Sequence, residues 1–229
     1  MSKLPERIPP SVFKKFVTLT TGEKKFVDVS TEDLFENKRV VIFGLPGAFT
    51  PTCSGQQLPG FEQLYHEYRQ AGIDDIYCIS VNDSFVMNEW GMNQGLVNVK
   101  LIPDGSAEFT IKMGMDVRKD NLGFGIRSWR YAAIVDNHEV IQSFVEEGFN
   151  DNIQEDPYEV STPENVLLHV KSFDWPAVEV PVVTNELETF GDIDVALKET
   201  AVLSDEYDSV GKNIELEISD STSVKEKIR

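Results

Sequence analysis

The chain has 229 residues, 41% of them hydrophobic, with 39 acidic and 21 basic side chains and a net charge of -18. That composition supports one domain, or one domain with an appendage, and excludes a wholly disordered chain. Such a charge repels phosphate backbones and anionic lipid surfaces, so neither nucleic acid nor a membrane is an expected partner, and no apolar run approaches the roughly 20 residues of a membrane helix.

In chain order, Met1–Pro10 holds no apolar core segment, and no secretory signal is expected there. Val40 to Leu45 is a short continuous apolar run, the pattern of a strand buried on both faces of a parallel sheet. Pro46 to Cys53 reads as a loop by its proline and glycine content. Leu58, Phe61, Leu64, Tyr65 and Tyr68 recur at helical spacing up to a stop near Gly72. Ile76 to Val81 is a second buried strand, closing a βαβ unit with an expected right-handed crossover. A looser round follows. Ser84, read as an N-cap, opens a helix to Trp90. Val97 to Ile102 reads as a strand, Pro103-Asp104-Gly105 as a turn and Glu108 to Met113 as a helix. Asn121 to Gly125 is a loop. Arg130 to Val135 is a strand that turns at Asp136-Asn137-His138 into an antiparallel partner, Val140 to Val145. Ser161 or Thr162, with Pro163 behind it, opens a last helix to Val170. These elements predict an α/β domain with one mixed sheet over residues 1–170.

Residues 171–229 differ in character, with 14 acidic and 6 basic side chains. Val178 to Val183 and Ile214 to Ile218 have strand-like patterns, but no amphipathic helix is evident. The segment reads as an acidic C-terminal extension of uncertain order, either a solvated element or a partner-docking segment.

The two cysteines, Cys53 and Cys78, are too few for a disulfide framework. They fit a reducing compartment, and the cytoplasm is the expected location. His66, His138 and His169 form no zinc spacing with them, and no cofactor is expected. Gly123-x-Gly125 does not join a strand to a helix as a dinucleotide fingerprint does. Cys53 lies where the loop after a buried strand turns into a helix. Unpaired amides and the positive dipole end favour thiolate over thiol there. Thr50, three residues earlier, can bring its hydroxyl near the sulfur, and Pro46 and Pro51 stiffen the loop. On spacing alone, an inert buried thiol is an equal reading.

Pro46-x-x-x-Thr50-x-x-Cys53 resembles the active-site motif of the peroxiredoxins, and the stretch Gly44 to Cys53 is similar to their peroxiredoxin-five branch. Gly123-Phe124-Gly125 followed by Arg127-Ser128-Trp129-Arg130-Tyr131 resembles the region of the family's active-site arginine, with Arg130 at the matching position. Asn82-Asp83 and Asn88-Glu89-Trp90 fit the same branch. The resemblance implies a thioredoxin-like fold, a homodimer and a peroxidase acting on hydrogen peroxide and organic hydroperoxides. Under it, the Cys53 thiolate attacks the terminal peroxide oxygen and becomes a sulfenic acid. Arg130 holds the thiolate and the charge on the leaving oxygen. Thr50 orients the peroxide and Pro46 covers the sulfur. Arg127 has a weaker, supporting claim, and Leu122 and Phe124 line the pocket.

Many relatives resolve the sulfenic acid with a second cysteine in the C-terminal part of the domain. The corresponding stretch, Asp151 to Ser161, has none, and Cys78 inside an apolar strand suits packing rather than exchange. A one-cysteine mechanism with an external thiol is therefore expected. The local wording is similar to bacterial fusions with glutaredoxin, yet the extension carries no Cys-x-x-Cys or Cys-Pro pair. Glutathione with a separate glutaredoxin is the expected donor, with thioredoxin as the alternative. The contrasting class is a peroxide-sensing redox relay or a binding module working through the acidic tail.

Overall fold

Ahead of the first strand read from sequence lies a hairpin that periodicity did not mark. In the computed structural model, which describes residues 4–19 and 21–178, β1 (Val12–Thr18) pairs antiparallel with β2 (Lys24–Ser30). Most of its residues are partly or fully exposed, which blurs the apolar alternation that marks a strand. Ser30 then caps α1 (Thr31–Phe35) through a capping box with Asp33.

The central sheet runs β5-β4-β3-β8-β9. β3 (Arg39–Leu45) lies parallel to β4 (Asp75–Ser80), which lies parallel to β5 (Lys100–Pro103). On the other side β8 (Tyr131–Asp136) is antiparallel to β3, and β9 (Glu139–Val145) to β8. The expected mixed sheet is present. Because side chains alternate along a strand, β3 feeds two cores. Val40 and Ile42 face the one holding Phe13, Phe35 and Trp129, while Val41, Phe43 and Leu45 face the one holding Phe61, Trp90 and Val166. Burial on both faces explains the unbroken apolar runs of β3 and β4.

The helix read as continuous from Leu58 is two pieces, with a further turn ahead of them. A π-helical turn over Cys53–Gln57 leads into α2 (Leu58–Gln63), and a break at Leu64 separates α3 (Tyr65–Gln70). In α4 (Ser84–Asn93) the cap is Asp83 rather than Ser84, its Oδ1 accepting from the amides of Phe85 at 2.8 Å and Val86 at 3.1 Å. Ser84 is buried and its Oγ accepts from the Phe16 amide at 2.8 Å, tying α4 to the hairpin. β5 begins at Lys100 rather than Val97. The amides of Val97 and Val99 donate to the Glu62 carboxylate, at 3.0 and 2.8 Å, and are lost to a ladder. α5 (Glu108–Lys112) matches its expectation. β6 (Asp116–Arg118) and β7 (Ile126–Ser128) form a small hairpin around the loop expected at 121–125, which contains a short 3-10 turn at Asp120–Leu122.

α6 (Pro163–Val170) is capped by Thr162, with Pro163 in its first turn. Beyond it the Phe173 and Trp175 rings stack at 4.6 Å, and the Arg39 guanidinium lies 5.3 Å from the Trp175 ring centre. Apart from Val178, the strands expected at 178–183 and 214–218 lie outside the described residues, as does most of the acidic extension. Among the described residues no helix is long and apolar enough to cross a membrane.

Candidate active site

The site starts where β3 ends. Gly44 pairs with Tyr131 of β8, and a methyl group on Gly44 would collide with the Tyr131 ring; only glycine lets the ring lie against the strand. The chain then passes through buried Pro46 and Gly47 to Phe49, which is half exposed and holds a left-handed backbone at φ 62°. That conformation is uncommon for a bulky residue and is held here by its surroundings. The Ala48 amide donates to Asn82 Oδ1 at 3.0 Å, and the Thr50 hydroxyl donates to the Gly47 carbonyl at 2.8 Å. Helical bonding starts at once, with the Ser54 amide donating to the Thr50 carbonyl at 2.9 Å.

Cys53 sits in this first turn, fully buried. Its carbonyl accepts the Leu58 amide and closes the π turn, a geometry that recurs at functional sites. Next to it, Ser54 Oγ accepts from Trp90 Nε1 at 2.9 Å, so α4 pins the turn.

Arg130 immediately precedes β8 and is 1% exposed. Its Nη1 lies 3.5 Å from Cys53 Sγ and donates to Gln57 Oε1 at 2.6 Å. Nε donates to the Pro157 carbonyl at 3.0 Å, and Nη2 pairs with the Asp156 carboxylate. The guanidinium carbon lies 5.5 Å from the centre of the Tyr158 ring. Burial opposes the Arg130 charge, but the Cys53 sulfur and Asp156 outweigh it and hold the guanidinium above its ordinary value. Glu146 anchors the strip that carries these partners. Buried itself, it accepts through Oε1 from the amides of Glu159 at 2.9 Å and Ser161 at 2.8 Å, and from the Ser161 hydroxyl at 2.7 Å.

Cys53 and Arg130 are thus brought together, with Pro46 and Thr50 in the loop that leads into the same turn. Thr50, read as a donor to or an acceptor from the peroxide, is left with the acceptor role. Its hydroxyl proton goes to the Gly47 carbonyl, which leaves the oxygen lone pairs as acceptors. Gln57 was legible but missed: it lies four residues after Cys53, the spacing that shares a helix face. Asp156, Pro157 and Tyr158 had no local signal. Their stretch is notable in sequence for lacking a cysteine, and in space it supplies the second coordination of Arg130. Cys78 lies in β4, fully buried, and burial together with the nearby Cys53 pushes its thiol well above the ordinary range. Among the described residues no group of three His, Cys, Asp or Glu side chains could hold a metal ion.

Residues 7–162 match the Redoxin family. The chain is 64% identical over 148 residues to a peroxiredoxin of Rhizobium etli, covering 65% of this chain and 83% of that one. It is 44% identical over 165 residues to the hybrid peroxiredoxin hyPrx5 of Haemophilus influenzae, covering 72% of this chain and 65% of the hybrid. Among solved structures, the Plasmodium falciparum antioxidant protein, a 1-Cys peroxiredoxin, aligns with a TM-score of 0.68 at 36% identity, covering 75% of this chain and 99% of that one. The mixed sheet flanked by helices is the thioredoxin-like fold of these proteins. With the motif loop and the buried arginine both in place, the chain belongs to the Redoxin family as a peroxiredoxin of the peroxiredoxin-five branch, an enzyme that acts as a peroxidase.

Proposed function

We propose that this peroxidase works by a one-cysteine mechanism, with Cys53 as the peroxidatic residue and glutathione with a separate glutaredoxin as its reductant. The observation that carries the reading is Arg130 Nη1 at 3.5 Å from Cys53 Sγ, while Cys78 is held protonated inside β4. The Cys53 thiolate attacks the terminal oxygen of hydrogen peroxide or an organic hydroperoxide. An S–O bond forms as the O–O bond breaks, and the terminal OH stays on sulfur. The leaving oxygen takes up the equivalent of the proton that Cys53 lost on ionising and becomes water or an alcohol. Arg130 stabilises both the thiolate and the charge on that oxygen in a buried site. The Thr50 lone pairs accept a hydrogen bond from the peroxide O–H, and Pro46 shields the sulfur. Gln57, Asp156 and the Pro157 carbonyl keep the guanidinium aimed.

An external thiol then attacks the sulfenic acid, and a second thiol frees Cys53 from the mixed disulfide. Because Cys53 is fully buried, a thiol of glutathione size reaches it only when the π turn opens. Likeness to a 1-Cys peroxiredoxin supports the single cysteine, and likeness to a hybrid peroxiredoxin supports a glutathione-linked donor. A homodimer and a cytoplasmic location belong to the same reading. Exposed Phe49, Leu122, Phe124 and Ile126 offer apolar area for a second copy.

Stopped-flow reduction of hydrogen peroxide, with glutathione alone, glutathione plus glutaredoxin, and thioredoxin with its reductase, tests the proposal. Turnover with the glutathione pair is expected. Turnover with thioredoxin alone moves the donor, and fast Cys53 oxidation without turnover selects the redox relay.

A further inference from the structure

Arg127 lies on β7, three residues before Arg130, and the peroxide step does not use it. Its guanidinium borders the loop that leads to Cys53. A methyl group on Gly47 would lie 2.9 Å from Arg127 Nη1 and 3.5 Å from Thr50 Cγ2, so both side chains flank one backbone carbon. Its hydrogen bonds go to backbone carbonyls, Nε to Phe124 at 3.2 Å and Nη1 to Val81 at 3.3 Å, and its carbon lies 5.2 Å from the Phe124 ring centre. Among the described residues no carboxylate pairs with it, in a chain of net charge -18. A guanidinium has five N–H donors, so three remain for a ligand. Partial burial strips some hydration from the charge and lowers its pKa, the state in which an incoming anion binds best. A planar, half-buried guanidinium without a counter-charge is suited to a carboxylate.

We infer that Arg127 receives a carboxylate of the thiol that reduces the Cys53 sulfenic acid, so that the enzyme selects carboxylate-bearing thiols of the glutathione class. The inference rests on the one-cysteine reading above. The anion belongs to a molecule longer than hydrogen peroxide, because the cation on the sulfur is Arg130 and Arg127 has no hydrogen bond to Cys53. In the step served, the thiol sulfur bonds to Cys53 Sγ and the S–O bond breaks. The oxygen leaves as water with the thiol proton; Cys53 is reduced and the thiol is oxidised into the mixed disulfide.

The test is to oxidise the full chain with one equivalent of hydrogen peroxide and mix it with glutathione or with glutathione dimethyl ester. The rates, corrected for thiolate fraction, are followed by mixed-disulfide mass for wild type, Arg127→Gln and Arg127→Lys. Wild type is expected to react about tenfold faster with glutathione than with its ester, the worth of one charge-assisted contact near solvent. Arg127→Gln brings that ratio close to one, and Arg127→Lys keeps part of it. Equal slowing of both thiols in Arg127→Gln would assign Arg127 a structural role and overturn the inference. So would equal wild-type rates with both thiols, which leaves the one-cysteine reading standing. Dependence on Arg127 found only in oxidation by a carboxyl-bearing hydroperoxide, against tert-butyl hydroperoxide, overturns the assignment to the thiol. If neither free thiol reduces the wild-type sulfenic acid while thioredoxin does, the glutathione reading and this inference fail together.

Discussion

Arg127 and Arg130 stand three residues apart and meet opposite environments. Arg130 is buried and nearly saturated: a sulfur, an amide oxygen, a carboxylate and a backbone carbonyl take four of its five N–H donors, and an aromatic ring covers its face. Arg127 is half-buried, bonds only carbonyls and packs on one ring among the described residues, and keeps donors in reserve. A cation held by that many partners cannot move without leaving several buried groups unpaired, so it suits a reaction that needs fixed charge. An unsaturated cation at a rim suits recognition, because its best partner arrives from outside.

The largest test of the contrast removes what Arg130 is built to hold. Cys53→Ser is expected to abolish peroxide turnover while far-UV circular dichroism and the thermal midpoint stay close to wild type, since serine fits the same buried volume. Arg130→Gln comes next. It is expected to slow the peroxide step about 100-fold, as loss of a preorganised charge donor does. It should also destabilise the fold by about 2–3 kcal/mol in urea titration, because Gln57 and the Pro157 carbonyl lose their donor. Equal stability with full activity would refute the account of a cation fixed by its partners. Thr50→Val is expected to slow peroxide reduction about tenfold with the fold retained, since one hydroxyl contact is lost; equal rates would remove Thr50 from the reaction. Asp156→Asn is expected to be milder. Asp156 is 42% exposed, so its pairing with Arg130 is worth about 1 kcal/mol or less and the rate should fall only a few-fold. The smallest effect is expected for Cys78→Ala, with steady-state turnover within about twofold of wild type; a larger loss would give Cys78 a resolving role despite its raised thiol pKa.

The hairpin β1–β2 and strand β3 show why some elements were legible and others were not. β3 is buried on both faces, so its composition alone announces it. β1 and β2 are mostly partly exposed, and their pairing register depends on a partner strand rather than on either segment. Asp83 and Ser84 are both capping types, and the choice between them fell to Phe16, whose amide occupies Ser84. The long helix after Cys53 breaks where the π turn and Leu64 interrupt it, a change that helical spacing does not register.

At the site the division is the same. Pro46, Thr50 and Cys53 are neighbours in the chain, and their spacing with the arginine-bearing stretch carried the family by itself. The βαβ pattern with an added hairpin likewise carried the mixed sheet. Tertiary structure alone decided that Arg130 reaches Cys53 across 77 residues of sequence, and that residues 156–158 close over it under the hold of Glu146. It alone also left Arg127 without a counter-charge among the described residues. Local spacing constrains which residues share a turn or a face. The burial and pairing of a charge depend on what the folded chain packs around it, and those partners come from distant segments whose own sequences show no sign of the task.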